Sequence, residues 1–197
     1  MLKKIMLGAI TVTSAMALHI GEININNKDI EAQLRLDMGQ FNDQLDPHTT
    51  FVGFRYLNAR EEHSDYDDDP RLYEINALMQ REVGSLQALT LGMGIKLDYI
   101  DMGSDDFTAI PLGLEASYRL PFDEFIPLYV GGLIYYAPEV LSFQDAKQYL
   151  EYKVNIDVEI IDNGFITTGY RYIETKYKHG SSKDLNAAWF IGFKVGF

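Results

Sequence analysis

Alternation with a period of two residues runs through this chain and limits what it can become. Leu89, Leu91, Met93, Ile95 and Leu97 alternate with Thr90, Gly92, Gly94, Lys96 and Asp98. Leu150, Tyr152, Val154, Ile156, Val158 and Ile160 alternate with Glu151, Lys153, Asn155, Asp157 and Glu159. Ile110, Leu112, Leu114, Ala116 and Tyr118 do the same against Gly113, Glu115, Ser117 and Arg119. Successive side chains of a strand point to opposite faces, so each run makes one apolar and one polar face. Weaker runs occur around Leu34, Phe54, Ile75, Tyr129, Ile166 and Phe193. No convincing helical period follows residue 17.

Two kinds of connection separate the strands and are expected to alternate. Val83–Ser85, Leu120–Pro127 and Asp162–Gly164 are short and rich in turn formers. Arg60–Arg71, Asp101–Asp106, Ala137–Gln148 and Lys178–Asp184 are more polar and mostly longer. Counting back from the C-terminus gives nine strands: 186–197, 165–177, 148–161, 127–136, 108–119, 87–100, 71–82, 50–60 and 29–39. His19–Asn26 supplies a tenth, with a tight turn at Asn27–Asp29. Ten strands are favoured, because single-chain bacterial barrels have even numbers; eight is the second choice.

The first 17 residues read as a secretory signal peptide: Lys3 and Lys4, an apolar core at Ile5–Val12, and a small-x-small site at Ala15–Ala17. An N-terminal anchor helix is the alternative. Cleavage would leave one domain, 18–197, and move the formal charge from -12 to -14. So acidic a chain is a poor partner for nucleic acid. With no cysteine, neither disulfides nor thiolate metal sites are available. No internal stretch has the roughly 18 apolar residues that a spanning helix needs.

The remaining choices are an exported soluble β-sandwich or lipocalin-like barrel, and a transmembrane antiparallel up-and-down β-barrel, the all-β form that satisfies its backbone in lipid. Two features favour the membrane form. The polar face is rich in glycine (Gly53, Gly92, Gly94, Gly113, Gly131, Gly169, Gly192, Gly196), which suits a crowded interior. Aromatic residues gather near strand ends, as interfacial girdles do: Tyr56, Tyr73, Tyr99, Tyr118, Tyr136, Tyr149, Tyr170, Tyr172, Trp189 and Phe197. Such a barrel belongs in the bacterial outer membrane, as a monomer against lipid and lipopolysaccharide.

With apolar residues facing lipid, the expected inward set holds Arg35, Arg55, Lys96, Arg119, Lys153, Arg171 and Lys194 against Asp37, Glu74, Asp98, Glu115, Glu151, Asp157 and Glu159. Seven charges of each sign suggest a nearly neutral lumen, with the acidic excess in the loops. A narrow barrel has little free interior, and buried ions need partners. The expectation is therefore a lumen plugged by ion pairs. A narrow channel lined by the same residues is the functional alternative.

The loops offer little chemistry. Asp65, Asp67 and Asp69 could hold Ca²⁺ or bridge to lipopolysaccharide through divalent cations, but the run lacks the glycine and terminal glutamate of an EF-hand. An omptin-like protease would need rim Asp/His pairs; His63 with Asp65 and His179 with Asp184 are the nearest material. There is no Gly-x-Ser-x-Gly, so neither an enzyme nor a cofactor is expected.

The stretch Tyr135–Gly180, with "YYAPEVL" at a strand end and "GYRY" at Gly169–Tyr172, resembles the C-terminal half of YfaZ-family outer-membrane proteins. The chain also ends on a strand with a terminal phenylalanine, as that family does. The resemblance implies an outer-membrane barrel and carries no catalytic residue over. Its closing "WFIGFKVGF" puts Trp189, Ile191, Phe193, Val195 and Phe197 in one outward row. Phe193, Val195 and Phe197 look like the signal read by the barrel-assembly machinery. The last strand is expected to pair with the segment near Glu22–Asn26.

Overall fold

Residues 19–59, 69–83, 86–102, 106–121, 126–178 and 182–197 are described in the computed structural model. The strands are β1 (Ile20–Ile25), β2 (Asp29–Asp37), β3 (Thr50–Ala59), β4 (Arg71–Val83), β5 (Leu86–Asp101), β6 (Phe107–Ala109), β7 (Leu112–Arg119), β8 (Leu128–Ala137), β9 (Ala146–Ile161), β10 (Gly164–Tyr177) and β11 (Ser182–Gly196). Both β6 and β7 pair with β5, so they are two pieces of one barrel strand. The break falls at Pro111, which has no N–H to give the ladder and offers its carbonyl to the Lys96 amide. Every neighbouring pair is antiparallel.

β1 pairs with β11 from Ile20–Gly196 to Ile25–Ile191, so the sheet closes as a ten-stranded barrel. Phe197 lies beside His19, and the two backbones exchange hydrogen bonds at 2.9 Å in both directions. The His19 ring stacks on Phe41 and meets Phe197 edge-on. His19, just before the first strand, thus contacts both the last residue and the segment after β2.

The polarity is that of a soluble protein turned inside out. Outward side chains include Ile75, Met93, Leu114, Val154 and Trp189, the last 73 % exposed, while Arg55 and Arg171 inside are 2 % and 0 % exposed. Apolar alternation along the strands makes the outer face; the complementary parity makes the interior. Of the ten aromatics expected near strand ends, Tyr170 and Trp189 instead pair with each other mid-strand in β10 and β11. Tyr149 faces inward and is fully buried, because it shares the parity of Glu151 and Lys153.

One barrel end carries the connections at 84–85, 120–127 and 162–163, and is called the turn end; the other is the loop end. The expected length rule fails in the first three strands. Residues 26–28 make a tight turn at the loop end, where the Asn26 side chain accepts from the amides of Lys28 and Asp29. Residues 38–49 form a longer segment at the turn end. Buried Asp37 organises it by accepting from the amides of Gly39 (3.0 Å) and His48 (2.7 Å).

Candidate functional site

The interior is layered along the barrel axis. Nearest the loop end, Leu57, Ala59, Leu72, Ile100, Met102, Phe107, Ala109, Ala137, Ala146, Tyr149, Ile173 and Leu185 form one apolar cluster, none more than 3 % exposed. The local reason is that inward parity changes character near the loop end. Along β3 it runs Gly53, Arg55, Leu57, Ala59; along β5, Lys96, Asp98, Ile100, Met102. Leu185 joins the cluster through a bulge, since the β10–β11 register shifts after Ile173 and leaves Leu185 unpaired between Asp184 and Asn186.

Beneath this cluster lies a dry ionic layer. The Arg55 guanidinium makes a two-pronged contact with Glu151 from across the barrel. It also lies 2.6 Å from Glu74 and 3.5 Å from Glu31. Lys96 Nζ sits 2.7 Å from Glu151 and 3.2 Å from Glu74, and 4.0 Å from the centre of the Tyr135 ring. Arg171 pairs with Glu31 and, at 3.2 Å, with Asp29. Its Nε donates to Asn186, whose amide donates in turn to Asp29. Lys153 donates to Glu22 at 2.7 Å, and Asn24 donates to Glu22 and Glu31. These contacts join β1, β2, β3, β4, β5, β9, β10 and β11 across the lumen.

Toward the turn end the interior loosens into a polar chamber of about 120 Å³, lined by Gln33, Arg35, Glu115, Ser117, Asn155, Asp157 and Lys194 among others. Here the pairs are simpler, although Lys194 also lies 3.9 Å from Glu22. Arg35 makes two bonds to Glu115 at 2.8 and 3.0 Å, and Lys194 donates to Asp157 at 2.5 Å. A wider space of about 340 Å³, bordered by Ile20, His48, Phe51, Tyr129 and Phe165, shares Gln80, Ser117, Asp157 and Lys194 with the chamber. Tyr135 links chamber and ionic layer, the centre of its ring 4.0 Å from Lys96 Nζ. Its hydroxyl donates to Glu115 at 2.8 Å, and its ring lies against Gly94 and Gly113, where any side chain would take the space of the ring.

Of the inward residues read from the sequence, Arg35, Arg55, Glu74, Lys96, Glu115, Glu151, Lys153, Asp157, Arg171 and Lys194 lie in these pairs. Three lie elsewhere. Asp37 is buried at the turn end, bound to backbone amides. Arg119 is exposed at the turn end over the Tyr129 ring. Glu159 accepts from the Asn163 amide in the last turn. Asp98 is inside and fully buried, yet neither carboxylate oxygen has a hydrogen-bond partner. Among the described residues, one group of three carboxylates, Glu74, Asp98 and Glu151, is close enough to share a cation. Asp65 and Asp67 of the acidic loop, like His63 and His179, lie outside the described residues; Asp69 is half-buried.

Sequence reasoning missed Glu22, Asp29 and Glu31, because β1 and the start of β2 carry too few apolar residues to announce their parity. Ile23 and Ile25 facing out would have turned Glu22 inward, and Ile30 facing out would have done so for Asp29 and Glu31. With these three, the paired interior is acidic rather than neutral. The apolar cluster was missed as well, although the switch along each inward row was readable.

The profile of a family described as "YfaZ precursor" matches residues 2–197. No curated protein matches the chain. Among solved structures, the NanC porin in a rhombohedral crystal form is similar at 9 % identity and a TM-score of 0.42, over 92 % of this chain and 98 % of that one. A chain described under "Unveiling the Mechanism Behind the in-meso Crystallization of Membrane Proteins" is 10 % identical at a TM-score of 0.41, over 91 % of this chain and 83 % of the other.

Proposed function

The chain belongs to the YfaZ family, and from that premise we propose a small, non-enzymatic barrel of the bacterial outer membrane, plugged within and acting as a structural or surface-interacting element. Its outward apolar face suits hydrocarbon: water around side chains such as Ile75, Met93, Leu114 and Trp189 would cost about 25 cal/mol per Å² of apolar surface. Residues 1–17 are the export signal of this reading. The terminal Phe193, Val195 and Phe197 are its recognition element for the assembly machinery, and the exposed rim meets lipid and lipopolysaccharide.

The observation that carries the plugged reading is the pairing of two unlike layers. An ion entering from the turn end would meet Arg55, Glu151, Lys96 and Glu74 in mutual contact, then a cluster of apolar side chains. Displacing the first layer separates buried charges; crossing the second strips hydration. Planar bilayers carrying purified protein test this. No stepwise current above the bare membrane is expected, and steady single-channel currents would overturn the plug in favour of a narrow channel. Membrane fractionation with detergent extraction tests the location, and recovery in the soluble fraction would sink it.

A further inference from the structure

Glu74 and Asp98 are direct cross-strand partners on β4 and β5, both pointing inward. Like charges placed so are mutually destabilising unless something positive lies between them. Glu151 reaches the same point from β9. One oxygen from each of Glu74, Asp98 and Glu151 lies within 4.8 Å of the others. That is the span of oxygens around one hard cation, which holds its ligands at about 2.3–2.6 Å.

The positive groups already present do not meet the need. Arg55 and Lys96 are both committed to Glu74 and Glu151. Asp98, at 0 % exposure, has no hydrogen-bond donor on either oxygen. Three carboxylates against two cations leave one negative charge over. An isolated buried ion of this kind is among the most costly things a fold can contain.

We propose that Glu74, Asp98 and Glu151 bind a single monovalent hard cation of the Na⁺ class, with Asp98 as the ligand whose charge the protein leaves for it. The donor set is all oxygen, which suits a hard ion and not a transition metal. Within the group of Glu74, Asp98, Glu151, Arg55 and Lys96 the surplus is one negative charge, which a monovalent ion balances. Access is from the turn end, because the polar chamber is lined by Arg55 and Lys96 at its inner wall. The site is independent of whether the barrel conducts.

The test compares purified barrel in detergent in NaCl and in choline chloride at equal ionic strength. Binding to the folded state alone stabilises it. Na⁺ at about ten times its dissociation constant is therefore expected to raise the heat-modifiability midpoint by roughly 3–6 °C over choline. Asp98→Asn restores local charge balance, so it should melt no lower than wild type in choline and show no response to Na⁺. Crystals soaked in thallous acetate should show an anomalous peak between the three carboxylates in wild type and none in Asp98→Asn. Equal midpoints in Na⁺ and choline would overturn the proposal, the result expected if Asp98 simply carries a proton. A response to Ca²⁺ but not to Na⁺ would overturn it too. Should Asp98→Asn fail to fold, the wild-type comparison of NaCl with choline chloride decides alone.

Discussion

The two halves of the interior solve the same problem differently. Toward the loop end, charges are fully buried and shared, with Arg55 touching Glu74, Glu151 and Glu31, and an apolar cluster lies over them. Toward the turn end, Arg35 pairs with Glu115 and Lys194 with Asp157 at the edge of a chamber, the side chains 9–21 % exposed. In the more deeply buried half water has less access to replace a lost partner, so a deletion exposes more of the cost of an orphaned charge. In the wetter half water takes over part of the role. Position along the axis, rather than ion-pair count, should set how much each residue matters.

Arg55→Ala should break the comparison most visibly. It leaves Glu74 and Glu151 with Lys96 as their one nearby cation, and a loss of about 3–5 kcal/mol is expected. Urea unfolding in detergent, or disappearance of the heat-resistant folded band on gels, reads it. Ile100→Ala, in the apolar cluster, should cost about 2–5 kcal/mol through the cavity it leaves. On the plugged reading it does not open a conductance, because the ionic layer beneath persists; bilayer currents from this variant would show that the cluster alone holds the barrel shut. Lys194→Ala should cost roughly 1 kcal/mol, since Asp157 can turn to chamber water. A loss as large as that of Arg55→Ala would erase the distinction between the halves.

Removing Phe197 should have the smallest effect on stability, about 0.2–1 kcal/mol from its cross-strand and ring contacts. Its larger expected effect is kinetic, on insertion by the assembly machinery. Pulse-labelled folding in cells measures that, and an unchanged rate would remove Phe193, Val195 and Phe197 from the recognition role proposed for them.

Much of the fold was legible because period two is a local property. Leu89–Leu97 and Leu150–Ile160 announce both their strands and which residues face in. The pairing of β11 with β1 was legible too, since a barrel must close and Ile23 and Ile25 offer the only strand-like run near the N-terminus. Loop-length reasoning failed between β2 and β3, where Asp37 stabilises a long turn-end segment by binding amides of Gly39 and His48 rather than a lumen cation. Tyr149 was read as a girdle residue because aromatic character outweighed parity, although Glu151 and Lys153 share its face.

Alternation by itself determined the strands, the barrel and the inside-out polarity, because side-chain direction follows from backbone geometry within a few residues. It also set the parity of nearly every interior residue. Partner choice was decided only by the tertiary structure. Arg55 and Glu151 are 96 residues apart, and Arg171 and Glu31 are 140 apart. Their meeting depends on the stagger of ten strands around a closed circumference, which no local pattern encodes. The same stagger sets Glu74 opposite Asp98, brings Glu151 to them from across the barrel, and leaves one buried carboxylate without a donor.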